Sequence, residues 1–266
     1  LGSDRGRDLP GWRCFDPVWA TYRVMDGLLI VVGHGTGSAA GDAALHALAA
    51  ALAAALAEQD LYADVRAAVL RGTPGLAEAA QGYESESIQL LPFLMSGGVT
   101  FQNQLATALT SLSWDRSPLL YQPLGFNPGL TALLAARAEA AAGAWSWPLA
   151  DNHLVLIGHG TLRDPASAQA ARMHQRRLAA LGRFADVEVA FLDQPPRLTD
   201  VLAHHQGPLI GIGLFAGEGR HGARDMTDAF SGSAGPSIYC GAIGADPGLV
   251  SLAVDHLKQT PWPTAL

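Results

Sequence analysis

The sequence has little of what several classes of function require. Its two cysteines, Cys14 and Cys240, show no spacing typical of a zinc or iron–sulfur site, and two thiols do not make a disulfide framework. No Lys/Arg-rich run occurs, and the net charge is −7, so we expect no nucleic-acid partner. The chain also lacks a Gly-x-Ser-x-Gly elbow and a phosphate-binding loop, which disfavours serine hydrolases and nucleoside triphosphatases.

No apolar run in the sequence has the length of about 20 residues that a membrane span needs. The almost wholly apolar stretch 43–57 is rich in alanine, and four leucines recur in it at helical spacing: Leu45, Leu48, Leu52 and Leu56. Leucines on one face predict a helix that packs on a sheet. We therefore expect no membrane partner, and the low cysteine content favours the reducing cytoplasm.

The chain has 266 residues, of which 49% are hydrophobic and 15% charged, so it is long and apolar enough to bury a substantial core. From residue 28 onwards, short apolar runs of strand length alternate with helical patterns. This alternation predicts an α/β fold with parallel strands that right-handed crossovers connect.

A motif repeat indicates that the chain contains an internal duplication. Gly33-His34-Gly35-Thr36 recurs as Gly158-His159-Gly160-Thr161. Three further blocks recur in the same order, 69–74 as 191–196, 88–100 as 209–221 and 127–130 as 246–249. The sequence therefore predicts two tandem, duplicated three-layer α/β domains with parallel sheets and a cleft between them. We expect them at 28–143 and 152–258, joined by a linker at 143–151 and preceded by an N-terminal arm at 1–27.

Three residues that can bind a metal follow three apolar runs of the second repeat. They are His159, Asp193 and His221. Ligands of parallel sheets bind beyond the carboxyl ends of the strands, so we expect these side chains to converge. Two imidazoles and a carboxylate suit Co²⁺, Ni²⁺, Fe²⁺ or Zn²⁺ and leave coordination positions open. The same groups can accept protons near neutral pH.

The first repeat lacks a complete set of these residues. Arg71 stands where the second repeat has Asp193, and Thr100 stands where it has His221. His34 is retained, and it is either structural or part of the cleft lining.

Other polar residues flank the predicted site. Thr161, Arg163, Arg220 and Arg224 are candidates for the substrate cleft. The arginines either pair with an acidic substrate or are merely solvated. Asp164 and Pro165 predict that a helix begins directly after the His159 loop. The five histidines in helical patterns are interpreted as surface or packing residues: His46, His174, His204, His205 and His256.

The motifs of the second repeat resemble those of the class II chelatases, the sirohydrochlorin cobaltochelatase family (CbiX type), which is related in fold to ferrochelatase. The family has a Gly-His-Gly-Ser-like turn, a Phe-Leu-Glu-x-x-Pro-like segment and a Gly-x-His-x-x-x-Asp segment. Here these stand as 158–161, 191–196 and 219–225. The resemblance covers about residues 28–258 as two copies, with the functional positions complete only in the second copy.

The resemblance implies that the protein inserts a divalent metal ion, Co²⁺, Fe²⁺ or Ni²⁺, into sirohydrochlorin or a related tetrapyrrole in cobalamin or siroheme biosynthesis. The metal is then a substrate, and no tightly bound cofactor is expected. By the same resemblance, His159 and His221 hold the incoming metal and accept pyrrole protons, while Asp193 assists as a ligand or base. Asp193 is one methylene shorter than the usual Glu, and Thr161 replaces Ser.

Two other functions stay open at this point. The first is a chelatase-like protein that carries metal or tetrapyrrole without turnover, which is favoured if Asp193 cannot reach the histidines. The second is a hydrolase with His159 as nucleophile, which lacks the usual arginine partners.

Overall fold

The computed structural model describes residues 27–59, 61–83, 87–110, 117–217 and 223–259. Within these ranges the chain forms two similar halves, each with a four-stranded parallel sheet and helices on both faces. The predicted fold class, a tandem pair of three-layer α/β units, is therefore confirmed. The predicted N-terminal arm lies outside the described residues except for Gly27, and the predicted domain boundaries stay a prediction.

The described part of the first half contains four strands and four α-helices. In chain order these are β1 (Leu28–Gly33), α1 (Ala39–Ala57), β2 (Asp64–Val69), α2 (Leu76–Ala80), β3 (Ile88–Pro92), α3 (Val99–Thr110), β4 (Leu119–Leu120) and α4 (Leu130–Ala144). The strand order across the sheet is β2-β1-β3-β4.

The second half repeats this arrangement within its described residues. Its elements are β5 (His153–Gly158), α5 (Gln169–Ala180), β6 (Asp186–Phe191), α6 (Leu198–His204), β7 (Leu209–Gly213), α7 (Ala223–Ser231), β8 (Ser237–Ala242) and α8 (Gly248–Leu257). The strand order is β6-β5-β7-β8, so β5 lies between β6, the strand that precedes Asp193 in the chain, and β7, the strand that precedes His221.

Helix α1 illustrates how local sequence and packing combine. Ser38 caps its amino end by accepting a hydrogen bond from the backbone N–H of Gly41 at 3.1 Å. With 19 residues, α1 is long and apolar enough to cross a membrane by length and composition. Its four regularly spaced leucines are buried, however, and belong to the same core cluster as the first sheet. Helix α1 is thus a core helix, as its leucine spacing predicts.

The two halves share one hydrophobic core. Leu29 and Val31 of β1 belong to a central cluster. That cluster also contains Leu154 and Leu156 of β5. The intervening residues of each strand, such as Ile30, pack into an outer cluster on the other face of their own sheet. Because both sheets contribute to the central cluster, their relative positions are determined by packing.

A buried histidine links the second half to the first. His174 of α5 is fully buried, and its Nδ1 lies 2.8 Å from the hydroxyl of Thr131 while its Nε2 lies 2.8 Å from the carbonyl oxygen of Gly125. Burial lowers the pKa of His174 to about 4, so the ring is neutral at pH 7. Its Nε2–H therefore donates to Gly125, and Nδ1 accepts from Thr131.

His256 of α8 makes a similar buried link. Its Nδ1 lies 2.9 Å from the amide nitrogen of Asn127, and its Nε2 lies 2.9 Å from the carbonyl oxygen of Gln122. The sequence predicted only surface or packing roles for the helical histidines. The structure shows that two of them are hydrogen-bonded links between the halves.

A helical turn begins at Pro165, where the sequence predicts the start of a helix after the His159 loop, but this first turn is not α-helical. Residues Pro165–Ala168 form a 3₁₀ turn, and α5 begins only at Gln169. The backbone N–H of Ser167 donates to the carbonyl oxygen of Asp164 at 3.1 Å, the i to i+3 bond of that tighter helix.

Candidate active site

The loop that carries His159 begins where β5 ends, at Gly158. Gly160 follows His159 with φ +71°, a left-handed conformation that favours glycine. A Cβ atom at this position would lie 2.6 Å from Cγ of Gln194 and 2.8 Å from Cβ of Phe191. The second glycine of the Gly-His-Gly-Thr motif therefore allows the His159 loop to pack directly on the loop that follows β6.

Backbone and side-chain contacts join His159 to Asp193. The backbone N–H of Asp193 donates to the carbonyl oxygen of His159 at 3.0 Å. The side chains also meet, with His159 Nε2 3.2 Å from Asp193 Oδ2. Both side chains are largely solvent-accessible, at 63% and 56% exposure. Such an exposed pair contributes little to the stability of the fold. It does leave a nitrogen and an oxygen atom side by side and accessible to a ligand from solvent.

Gln194 supports this arrangement and was missed by the sequence analysis. Its side chain is buried, and its Oε1 accepts a hydrogen bond of 2.7 Å from the backbone N–H of Thr161. The same amide oxygen lies 3.5 Å from the hydroxyl of Ser167. An amide directly after the predicted acid was the available signal, but the sequence did not show that its partner would be the His159 loop.

A cavity of about 950 Å³ lies between the two halves, where the sequence duplication predicted a cleft. His159, Asp193, Thr161 and Arg163 line it from the second half, and His34 lines it from the first. The structure therefore brings five of the predicted site residues to one cavity. The volume is within the range of roughly 300–1,000 Å³ that is usual for small-molecule sites.

The remaining predicted residues do not all reach this cavity. His221 and Arg220 lie outside the described residues. Arg224 is exposed on α7, with its Nε 3.9 Å from Asp228, and is not among the described residues that line the cavity. Among the residues that the structure describes, no group of three or more His, Cys, Asp or Glu side chains is placed to hold a metal ion.

The first half has the same backbone arrangement with different chemistry. The backbone N–H of Arg71 donates to the carbonyl oxygen of His34 at 3.0 Å. Gly35 has φ +85°, and a Cβ atom there would meet the carbonyl oxygen of Arg71. Arg71 therefore occupies the place beside His34 that Asp193 occupies beside His159.

Gln104 of α3 connects His34 and Arg71. Oriented to satisfy both neighbours, its amide nitrogen donates to His34 Nδ1 at 3.1 Å, and its oxygen accepts from Arg71 Nη2 at 2.7 Å and Nε at 3.1 Å. Burial, and then the nearby charge of Arg71, lower the pKa of His34. His34 thus lines the cavity as a neutral ring, and Gln104 is a second amide that the sequence analysis missed.

The profile of the CbiX family matches the chain twice, over residues 28–141 and 153–260. The chain belongs to the CbiX family. The predicted family and the predicted repeat are confirmed by this double match. The Gly-His-Gly-Thr turns, the cis Pro195–Pro196 segment and both parallel sheets lie inside the matched ranges.

Named relatives of this CbiX-family chain are similar over most of its length. It is 24% identical over 227 residues to a probable sirohydrochlorin cobaltochelatase of Halobacterium salinarum, and the matched region covers 75% of each chain. It is 26% identical to the CbiX described as the terminal enzyme for siroheme biosynthesis in denitrifying bacteria, with a TM-score of 0.68 over 87% of this chain and 98% of that one.

A third relative is similar in fold. The sirohydrochlorin chelatase SirB from Bacillus subtilis subspecies spizizenii, in complex with cobalt, is 16% identical, with a TM-score of 0.64 over 88% of this chain and 94% of that one. At this identity the likeness shows the shared fold alone.

Proposed function

We propose that this protein inserts a divalent metal ion, Co²⁺ or alternatively Fe²⁺ or Ni²⁺, into sirohydrochlorin or a closely related tetrapyrrole. The reaction belongs to cobalamin or siroheme biosynthesis and takes place in the cytoplasm. The observation that carries the proposal is the contact between His159 and Asp193 at the wall of a cavity between the two halves. Membership of the CbiX family and the names of the relatives support it.

The geometry of the pair suits a metal ion in transit. For metal–ligand bonds of about 2.1 Å, neighbouring ligand atoms lie about 3.0 Å apart in an octahedron and about 3.4 Å apart in a tetrahedron. His159 Nε2 and Asp193 Oδ2 are 3.2 Å apart, so a metal ion can bind both with little movement. Asp193 therefore reaches its histidine although it is shorter than the Glu expected from the family.

The chemistry requires two protons to leave the ring as the metal enters it. The imidazole of His159 can release the metal ion and accept one pyrrole proton, and the Asp193 carboxylate can accept the other. The metal replaces two N–H protons, and both protons pass through these groups to solvent. The exposure of the pair to the cavity gives the protons that route.

The cavity provides a place for the macrocycle. Its walls come from both halves. In the proposal, a flat ring binds between them with one face towards His159 and Asp193. We assign His221 as the third metal-holding group and Thr161 and Arg163 as contacts to the ring. The metal is a substrate here, and no tightly bound cofactor is part of the proposal.

Cobalt insertion into sirohydrochlorin, followed by the change in the absorbance of the ring, tests the proposal. The protein should accelerate the change above the protein-free rate, and His159→Ala should reduce kcat/KM by at least about 100-fold because it removes both a ligand and a proton acceptor. His204→Ala is the matched control, since His204 is exposed on α6 and bonds the backbone of Asp200 away from the cavity.

The test separates the proposed enzyme from a carrier. A wild-type protein that binds Co²⁺ and sirohydrochlorin but leaves the insertion rate at the protein-free value would contradict the chelatase proposal and support the carrier. Equal loss of activity in His159→Ala and His204→Ala would contradict the assigned role of His159.

A further inference from the structure

We propose that Arg71, held by Gln104 beside His34, forms an anion-binding subsite in the cleft that takes a peripheral carboxylate of the tetrapyrrole. The inference rests on the proposed function, and it deepens that function by naming a residue that orients the substrate. Arg71 lines the cavity from the first half, whereas the His159–Asp193 pair lines it from the second half.

The first half cannot use this position to hold a metal ion. The guanidinium of Arg71 is permanently charged and lies in one hydrogen-bonded cluster with His34. A divalent cation at His34 would meet this positive charge, and the repulsion is strong at a distance of a few ångströms. The two repeats therefore share the backbone arrangement of the site but differ in the ligand that they suit. The second half suits a cation and the first half suits an anion.

Gln104 holds the arginine without neutralising it. The amide oxygen accepts from both Nε and Nη2 of Arg71, at 3.1 and 2.7 Å, which restrains the guanidinium. An acid at this place would form an ion pair and weaken the attraction of Arg71 for another anion. Two of the five N–H donors of Arg71 are directed to Gln104. Within the described ranges no hydrogen bond engages the other three, which are the donors that we assign to a ligand.

His34 adds a second donor to the subsite. Its Nδ1 accepts from the Gln104 amide nitrogen, so the proton of the neutral ring lies on Nε2. Burial and the charge of Arg71 lower the pKa of His34, which favours this neutral form at pH 7. The cluster thus offers a charged fork and an imidazole N–H, the donor types that bind carboxylates well.

The overall charge of the protein makes such a subsite useful. The chain carries a net charge of −7, so a substrate with many carboxylates is repelled at long range. Arg71 places a positive charge on the wall of the first half, while His159 and Asp193 present metal-binding atoms from the second half. A macrocycle bound by its rim at Arg71 then turns its centre towards the metal-binding pair.

Titration of the protein with metal-free sirohydrochlorin, followed by the absorbance of the ring, measures the subsite without turnover. Arg71→Met should raise Kd by about 10- to 100-fold, the range of one charge-assisted hydrogen-bonded contact, and Arg71→Lys should raise it less. Arg176→Met on α5 is the matched control, because it removes the same charge from an exposed position that is not among the cavity-lining residues.

Gln104→Glu distinguishes binding from a structural role. A carboxylate at this position keeps the contacts to Arg71 but neutralises its charge. It cannot donate to His34, so the proton of His34 moves to Nδ1 and donates to the carboxylate instead. Sirohydrochlorin binding should therefore weaken while the stability to urea is retained. If Arg71 only holds the loop in place, Gln104→Glu leaves Kd unchanged and Arg71→Met lowers the urea midpoint instead.

The two proposals fail in different ways. No cobalt insertion by the wild-type protein defeats the proposed function, and the Kd comparison can still be made. If the wild-type protein does insert cobalt, we expect both Kd and KM for sirohydrochlorin to rise in Arg71→Met and in Gln104→Glu. Values within about twofold of the wild-type constants in both variants would overturn the anion subsite alone.

Discussion

Asp193 and His159 are joined twice, by a backbone hydrogen bond of 3.0 Å and by a side-chain contact of 3.2 Å between Oδ2 and Nε2. The backbone bond has a counterpart between Arg71 and His34 in the first half, also 3.0 Å long. The scaffold therefore places residues 71 and 193 in the same way, and the side chain alone decides whether the position attracts a cation or an anion.

The chemistry and the length of the acid at residue 193 can be tested separately. Asp193→Asn should lower kcat/KM for cobalt insertion by about 10- to 100-fold, because an amide is a poor metal ligand and does not accept a proton. Asp193→Glu should retain most of the activity, since the longer acid is the residue that the family resemblance implies. Initial rates of the absorbance change measure both variants, and full activity of Asp193→Asn contradicts the role of the carboxylate.

Gly160 offers a test of the close contact between the two loops. Gly160→Ala combines a left-handed φ of +71° with a Cβ that would meet Gln194 and Phe191. Gly182→Ala is a matched control, because Gly182 has φ +62° but a Cβ there has nothing within 4 Å. Urea unfolding should show that Gly160→Ala destabilises the protein by about 1–3 kcal/mol more than Gly182→Ala.

Gly160→Ala should also weaken Co²⁺ binding, because Gly160 lies directly after His159. Calorimetric titration with Co²⁺ compares the two glycine variants. Equal stability and equal Co²⁺ affinity of the two variants would show that the packing of the His159 loop on Gln194 is unimportant.

Much of the fold followed from the sequence because its signals were local. The recurrence of Gly-His-Gly-Thr at His34 and His159 predicted the duplication. The position of each histidine after an apolar run predicted that it lies at the carboxyl end of a strand. The convergence of His159 and Asp193 followed from the same rule, since β5 and β6 are neighbouring parallel strands.

The features that the sequence did not reveal depend on contacts between distant elements. Gln104 and Gln194 are ordinary polar residues until packing brings each beside a Gly-His-Gly-Thr loop. The helical pattern around His174 predicted a surface or packing role, but not that the shared core would bury the ring in hydrogen bonds to the first half. Pro165 suits an α-helix start and a 3₁₀ turn equally well, so the sequence could not distinguish them.

His174 should make stability depend on pH. Burial lowers its pKa to about 4 from 6.5 in the unfolded chain, so on acidification the unfolded chain binds this proton first. The contribution is fully present above about pH 6.5 and is lost as the pH falls towards about 4, at about 1.4 kcal/mol per pH unit and roughly 3 kcal/mol in total.

Urea unfolding between about pH 7 and about pH 4.5 measures this loss. In His174→Gln an amide can still donate to the carbonyl oxygen of Gly125, but the group no longer titrates. The pH slope of the free energy of unfolding should therefore be smaller in the variant by about one proton. Burial also lowers the pKa of His256, which adds to the pH slope of the wild-type protein and of the variant alike. Identical slopes contradict the buried neutral state of His174.

Anomalous diffraction from a crystal of the protein soaked in Co²⁺ tests the central claim most directly. The account predicts a cobalt peak in the cavity at about 2.0–2.3 Å from both His159 Nε2 and Asp193 Oδ2, and none beside Arg71. A cobalt peak bound to His34 in the first half, or a fully soaked crystal with no peak at the His159–Asp193 pair, would contradict it.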